Sequence, residues 1–109
     1  MDKSMNTIVT DWQIVSIIEG SDFVGEVLYA VIVDDTTCRF GKGDFVCTSK
    51  IESISIERQL IKTITGSLYQ ILGKGRKAEV DFKDFELLRN GFNPEQINQL
   101  NLAPNDYFH

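Results

Sequence analysis

Two adjacent carboxylates, two cysteines and a single histidine are the residues of this chain whose types could do chemistry. Asp34 and Asp35 follow an apolar stretch, and carboxylates at a strand end can hold Mg²⁺ or serve as acid and base. In a strand, however, the two side chains point to opposite faces. No third ligand stands at a recognisable spacing, so a solvated turn through Asp35, Thr36 and Thr37 is the leading reading and a small metal-dependent enzyme ranks third among the functions considered. His109 is the last residue of the sequence, a poor place for a positioned base. There is no Gly-x-Ser-x-Gly elbow and no phosphate-cradling Gly-x-x-x-x-Gly-Lys-Ser/Thr loop. Gly41-Lys42-Gly43 and Gly73-Lys74-Gly75-Arg76 read as turns. No catalytic residue, metal ligand or cofactor is assigned.

Cys38 and Cys47 do not have the spacing of a Cys-x-x-Cys pair. If residues 40–45 form a hairpin with a two-residue Lys42-Gly43 loop, the two cysteines lie directly opposite each other. Two half-buried thiols on one sheet face are the first reading and a regulated cross-strand disulfide the second.

The cations are more suggestive than the nucleophiles. Residues 1–40 carry seven Asp and Glu against two Lys and Arg, residues 41–78 carry three against seven, and residues 79–109 carry six against two. The net charge of -5 therefore hides a basic middle between acidic ends. If the central segment gathers Lys50, Arg58, Lys62, Lys74, Arg76 and Lys77, they form an anionic-ligand site that could track a phosphate backbone, with Tyr69 for stacking. The competing reading screens them against the acidic strands beside them. The acidic ends could instead dock a protein partner. Trp12, Tyr29, Phe92, Tyr107 and Phe108 are the aromatic anchors available, with Trp12, Tyr29, Tyr107 and Phe108 the candidate interface residues.

These side chains must be placed by one domain. The 109 residues, 42% hydrophobic and 25% charged, have the composition of a single globular unit spanning 1–109. Residues 1–80 read as mainly β and 81–109 as helical. Strands are expected at 12–18, 25–33, 45–48, 51–56, 60–65 and 68–72, all rich in β-branched and aromatic residues. Short connections favour antiparallel neighbours. Gly66 suits the first position of a two-residue turn, which would set Ile64 opposite Tyr69 and Ile61 opposite Leu72.

Phe82, Phe85 and Leu88 recur every three positions before Asn90-Gly91, the pattern of a short amphipathic helix. Asn93 as cap, Pro94 in the first turn and Gln96 three positions after the cap open a second, with Ile97 and Leu100 as its apolar stripe. The longest apolar run, residues 27–33, is too short to span a bilayer, and no secretory leader is visible. A cytoplasmic protein without membrane contact is expected.

Gly25-Glu26-Val27-Leu28-Tyr29, then Gly43-Asp44-Phe45-Val46-Cys47-Thr48-Ser49, then Gly66-Ser67-Leu68-Tyr69 resembles a pattern in small uncharacterised bacterial proteins. The Gly43-Asp44-x-Val step is similar to the entry of SH3-like barrels. Neither resemblance implies an activity. The fold expected is α+β: a strongly bent antiparallel sheet or small SH3-like barrel of five to six strands with two short C-terminal helices. The function expected is a non-enzymatic protein-binding or regulatory module, with a nucleic-acid-binding barrel as the alternative. Homodimerisation through an exposed sheet edge is a further expectation.

Overall fold

The computed structural model describes residues 6–35 and 41–102. Two long strands, β1 (Asn6–Glu19) and β2 (Asp22–Asp35), form an antiparallel hairpin closed at Gly20, whose φ of +65° suits a residue without a Cβ. They are followed by β3 (Phe45–Ser55), β4 (Leu60–Thr63), β5 (Leu68–Ile71) and β6 (Arg76–Asp81). A 3-10 turn (Phe82–Asp84) then leads into helices α1 (Phe85–Arg89) and α2 (Pro94–Leu102). Among the described residues no helix is long and apolar enough to cross a membrane.

The strand order is β2-β3-β4-β5-β1-β6, and the additional β1–β2 pairing closes the strands into a ring that is not a regular barrel. The bent sheet with two short C-terminal helices is thus as expected. Strands consecutive from β1 to β5 pair antiparallel, as their short connections require. The sheet is nonetheless mixed, because β1 runs parallel to two strands distant in sequence. Its first half pairs with β5 (Asn6↔Leu68 to Val9↔Ile71) and its second with β6 (Gln13↔Arg76 to Ile18↔Asp81).

The change of partner explains an irregularity in β1. The β1–β2 register slips between Thr10 and Gln13, and Asp11 takes φ +49°. At this bulge the Trp12 indole Nε1 donates to the carbonyls of Leu72 and Gly73, both at 3.2 Å. Trp12 thereby holds the loop that carries the chain from β5 to β6. Gly75 is obligatory there: a Cβ on it would lie 2.2 Å from the indole ring. The turn read at residues 73–76 therefore ends one residue early, and Arg76 already begins a strand.

Three register expectations are corrected. Residues 45–48 and 51–56 are not two strands: β3 continues through Ser49 and Lys50, pairing with β2 in its first half and β4 in its second. At the β4–β5 hairpin Ile61 pairs with Tyr69, not Leu72. Gly66 (φ +91°) occupies the last position of a three-residue loop, with its amide donating to the Thr63 carbonyl, so the glycine closes the turn instead of opening it. At the β2–β3 hairpin Gly43 takes φ +89°, and Cys47 pairs with Tyr29. Cys38 lies outside the described residues, as do Tyr107, Phe108 and His109.

Alternation along the strands feeds two apolar layers. Val9, Ile14, Leu28, Ala30, Ile32, Val46, Ile61, Tyr69 and Ile71 fill the inside of the ring. Val15, Ile17, Val27, Tyr29 and Val80 face outward and are covered by Leu88 and Ile97 of the helices. The two-faced apolar character of these strands thus serves a ring interior and a helical cover. The capping box that opens α2 forms as read: the Asn93 amide donates to Gln96 Oε1 at 2.9 Å and the Gln96 amide to Asn93 Oδ1 at 2.8 Å. Leu100, expected in the buried stripe, is exposed (43%), because α2 is covered by the sheet along one side only near its start.

Candidate functional site

β2 and β3 part company at the end of their ladder. Their pairing runs from Val31↔Phe45 to Val27↔Lys50, and among the described residues the segment 22–25 of β2 has no partner on the β3 side. Into this fork the chain lays the 3-10 turn and α1. The result is a cleft of about 410 Å³, floored by Ile17, Val24, Gly25 and Val27 and walled by Cys47, Thr48 and Ser49, with Phe82 and Phe85 above.

Each wall residue follows from local structure. Asp81 caps the 3-10 turn by accepting from the Lys83 amide at 3.1 Å, which fixes the chain direction off β6. Phe82 and Phe85, three apart, then stack with centroids 6.4 Å apart and 14° between their planes. Leu88 anchors this short helix into the outer core. Phe82 stays 46% exposed, and on the floor Val24 is 41% exposed with Phe23 beside it at 61%. Exposed apolar side chains thus gather around a concave site.

Two cations frame the cleft. The Arg89 guanidinium lies over the Phe85 ring at 5.9 Å, a cation–π contact. Lys50 extends over Gly25, where a Cβ would sit 2.9 Å from Lys50 Cε, so the glycine makes room for the lysine stem. Glu26 is the one carboxylate in the lining. With Lys50 and Arg89 against Glu26 alone, the cleft carries local positive charge on a chain of net charge -5.

The thiol of Cys47 is not a nucleophile poised for reaction. Burial pushes its pKa up to about 11, with Arg89 pulling weakly in the opposite direction, so at neutral pH it is the neutral thiol. Beside it, Tyr29 is buried and its hydroxyl donates to the Gly91 carbonyl at 2.7 Å while its ring stacks on Phe45 at 5.8 Å. Tyr29 therefore ties the sheet to the end of α1 rather than presenting itself at the surface. Its own pKa is raised, first by burial and then by the neighbouring Cys47 and Glu95.

The six cations of the central segment are not one patch. Lys50 belongs to the cleft. Lys62 faces Glu52 across the β3–β4 ladder at 3.9 Å. Arg76 pairs with Glu95 of α2 at 3.2 Å, and both pairs are exposed and individually weak. Arg58 stands in the β3–β4 turn and Lys74 in the loop before Gly75, while Arg76 and Lys77 line a second groove with Trp12, Ile14, Ile54 and Ile56. The aspartate pair is likewise divided: Asp35 accepts from Thr7 Oγ1 at 2.8 Å, and Asp34 lies opposite Ile8. Among the described residues no three His, Cys, Asp or Glu converge as metal ligands.

Lys50 could be singled out from the sequence, but its neighbours Arg89, Phe82, Phe85 and Val24 could not. The helix period of Phe82, Phe85 and Leu88 is visible, yet it points to burial for all three. Only the three-residue 3-10 turn rotates Phe82 to the rim.

A family model described as "Domain of unknown function (DUF6957)" matches residues 1–87. The match covers all six strands and reaches into α1, so it contains the floor and most of the cleft walls, with Arg89 just beyond it. No curated protein and no solved structure matches.

Proposed function

Because the chain belongs to this DUF6957 family, whose description assigns no activity, we propose from the geometry that it is a non-enzymatic protein-binding module. Its cleft at the β2–β3 fork takes an apolar segment of a partner that also carries a carboxylate. One observation carries the reading: an apolar floor and a stacked phenylalanine pair lie between two exposed cations. An apolar body is driven in by loss of water from these walls, and the charges at the rim set its polarity and discriminate against basic segments.

Display of random peptides against the full chain tests this. Sequences combining large apolar residues with Asp or Glu are expected to enrich on the wild type and to be lost on the Lys50→Glu/Arg89→Glu double variant. Both residues are exposed, so charge reversal leaves the fold intact. No enrichment, enrichment of basic sequences, or equal enrichment on the double variant would overturn the proposal.

A further inference from the structure

We infer that the partner segment binds as an added β-strand along residues 22–25 of β2. This deepens the cleft reading and rests on it. The ladder between β2 and β3 begins only at Val27, while Phe23 and Gly25 pair with Ile18 and Ile17 of β1 on the other side. Among the described residues this stretch is therefore an edge whose outward amides and carbonyls meet no neighbouring strand. Such an edge is a template for another extended backbone. Natural edges are usually blunted by charge, proline or a bulge, and this one carries Asp22 and a bulge at Val24, yet Phe23 and Val24 both remain exposed apolar residues.

The cleft opens directly onto that edge, since Val24, Gly25 and Glu26 belong to its lining. A strand laid there turns every second side chain toward the helix-covered face. Those side chains meet Phe82 and Phe85, and the next position on the same face reaches Lys50 or Arg89. The occupant is thus an extended peptide of the form apolar-x-apolar-x-acidic. A helical segment would present its apolar residues at three- and four-residue spacing and leave the edge amides of β2 unpaired.

The probes are terminally blocked pentapeptides with Thr at the second and fourth positions and Glu at the fifth. The first and third positions are filled in turn by Val, Leu, Ile, Phe, Tyr and Trp. Affinity for the full chain is measured for the tightest of them and for two N-methylated forms, methylated at odd or at even positions. Because only alternate amides of a strand face its neighbour, one methylated form is expected to bind roughly tenfold or more weakly and the other to match the parent. Those amides of residues 22–25 that face away from β1 should also exchange more slowly with solvent in the complex.

Equal binding of both methylated forms would overturn strand addition while leaving the cleft reading standing. Strand addition also falls if the alternating set fails to bind but random display still selects acidic, apolar peptides that the Lys50→Glu/Arg89→Glu variant loses. If the display also selects nothing, the cleft reading itself falls.

Discussion

Cys47 sits in the cleft wall with its thiol held above its ordinary range, and this makes it the most direct single-residue test of the site's interior. Thiolate is the reactive form, so alkylation should follow the fraction ionised. In a Cys38→Ser chain, where Cys47 is the remaining thiol, iodoacetamide is expected to react roughly a hundredfold more slowly with the folded protein than with the urea-unfolded one near neutral pH. The rate should climb about tenfold per pH unit up to about 11. A plateau near pH 9 would show that the thiol is not desolvated. At the same scale Gly25 and Gly75 have opposite tasks: one admits a lysine stem over a strand, the other admits an indole against a loop. Neither role is readable from glycine content, because each depends on a side chain more than twenty positions away.

At the scale of elements, α2 shows how much local sequence can specify. Asn93, Pro94 and Gln96 satisfy the first free amides of the helix through the reciprocal pair of hydrogen bonds, all within four residues. Asn93→Ala should cost about 1 kcal/mol, seen as a lower urea midpoint with an unchanged slope. An unchanged midpoint would mean the helix is held wholly by Ile97 and its neighbours. Strand β6 is the contrasting case. Its alternation of Arg76, Lys77, Ala78, Glu79, Val80 and Asp81 leaves only Val80 fully buried, too weak a pattern to announce a strand. It exists because the second half of β1 offers a free edge, a condition set by residues some sixty positions earlier. The loop at Gly66 falls between these extremes: the need for positive φ was legible, but whether the glycine opens or closes the turn was decided by which register buried Ile61 and Tyr69 together.

For the whole molecule, the outer core couples the cleft to stability. Cys47 and Tyr29 both have raised pKa values in the folded state because folding removes them from water. A group whose folded pKa is raised stabilises the fold fully below its unfolded pKa and loses that contribution as pH climbs through the folded value. For Cys47 the window runs from about 9 to about 11, and for Tyr29 it opens near 10.0. Below about pH 9 neither group should alter the melting temperature. Above it, Cys47 accounts for a loss of about 1 to 2 kcal/mol, at the low end for a shift of this size because the thiol keeps some contact with water. Between about pH 8 and about pH 10.5 the melting temperature of the wild type should therefore fall further than that of Cys47→Val. Parallel decline of the two proteins would assign the loss to other groups.

The sequence by itself determined the quantities that depend on neighbours along the chain: strand-rich residues followed by two short helices, the positive φ at Gly66, the capping box, and the acidic-basic-acidic charge order. Only the tertiary structure decided the rest. It closed the ring by pairing β1 with both β2 and β5, separated Lys50 from the groove that Arg76 and Lys77 line, and brought Lys50 and Arg89 into the lining of one cleft. The physical reason is that turns and caps are settled by hydrogen bonds within a few residues. Strand partnership and the meeting of two side chains are settled by which apolar faces can be buried at once, and that is a property of the whole chain.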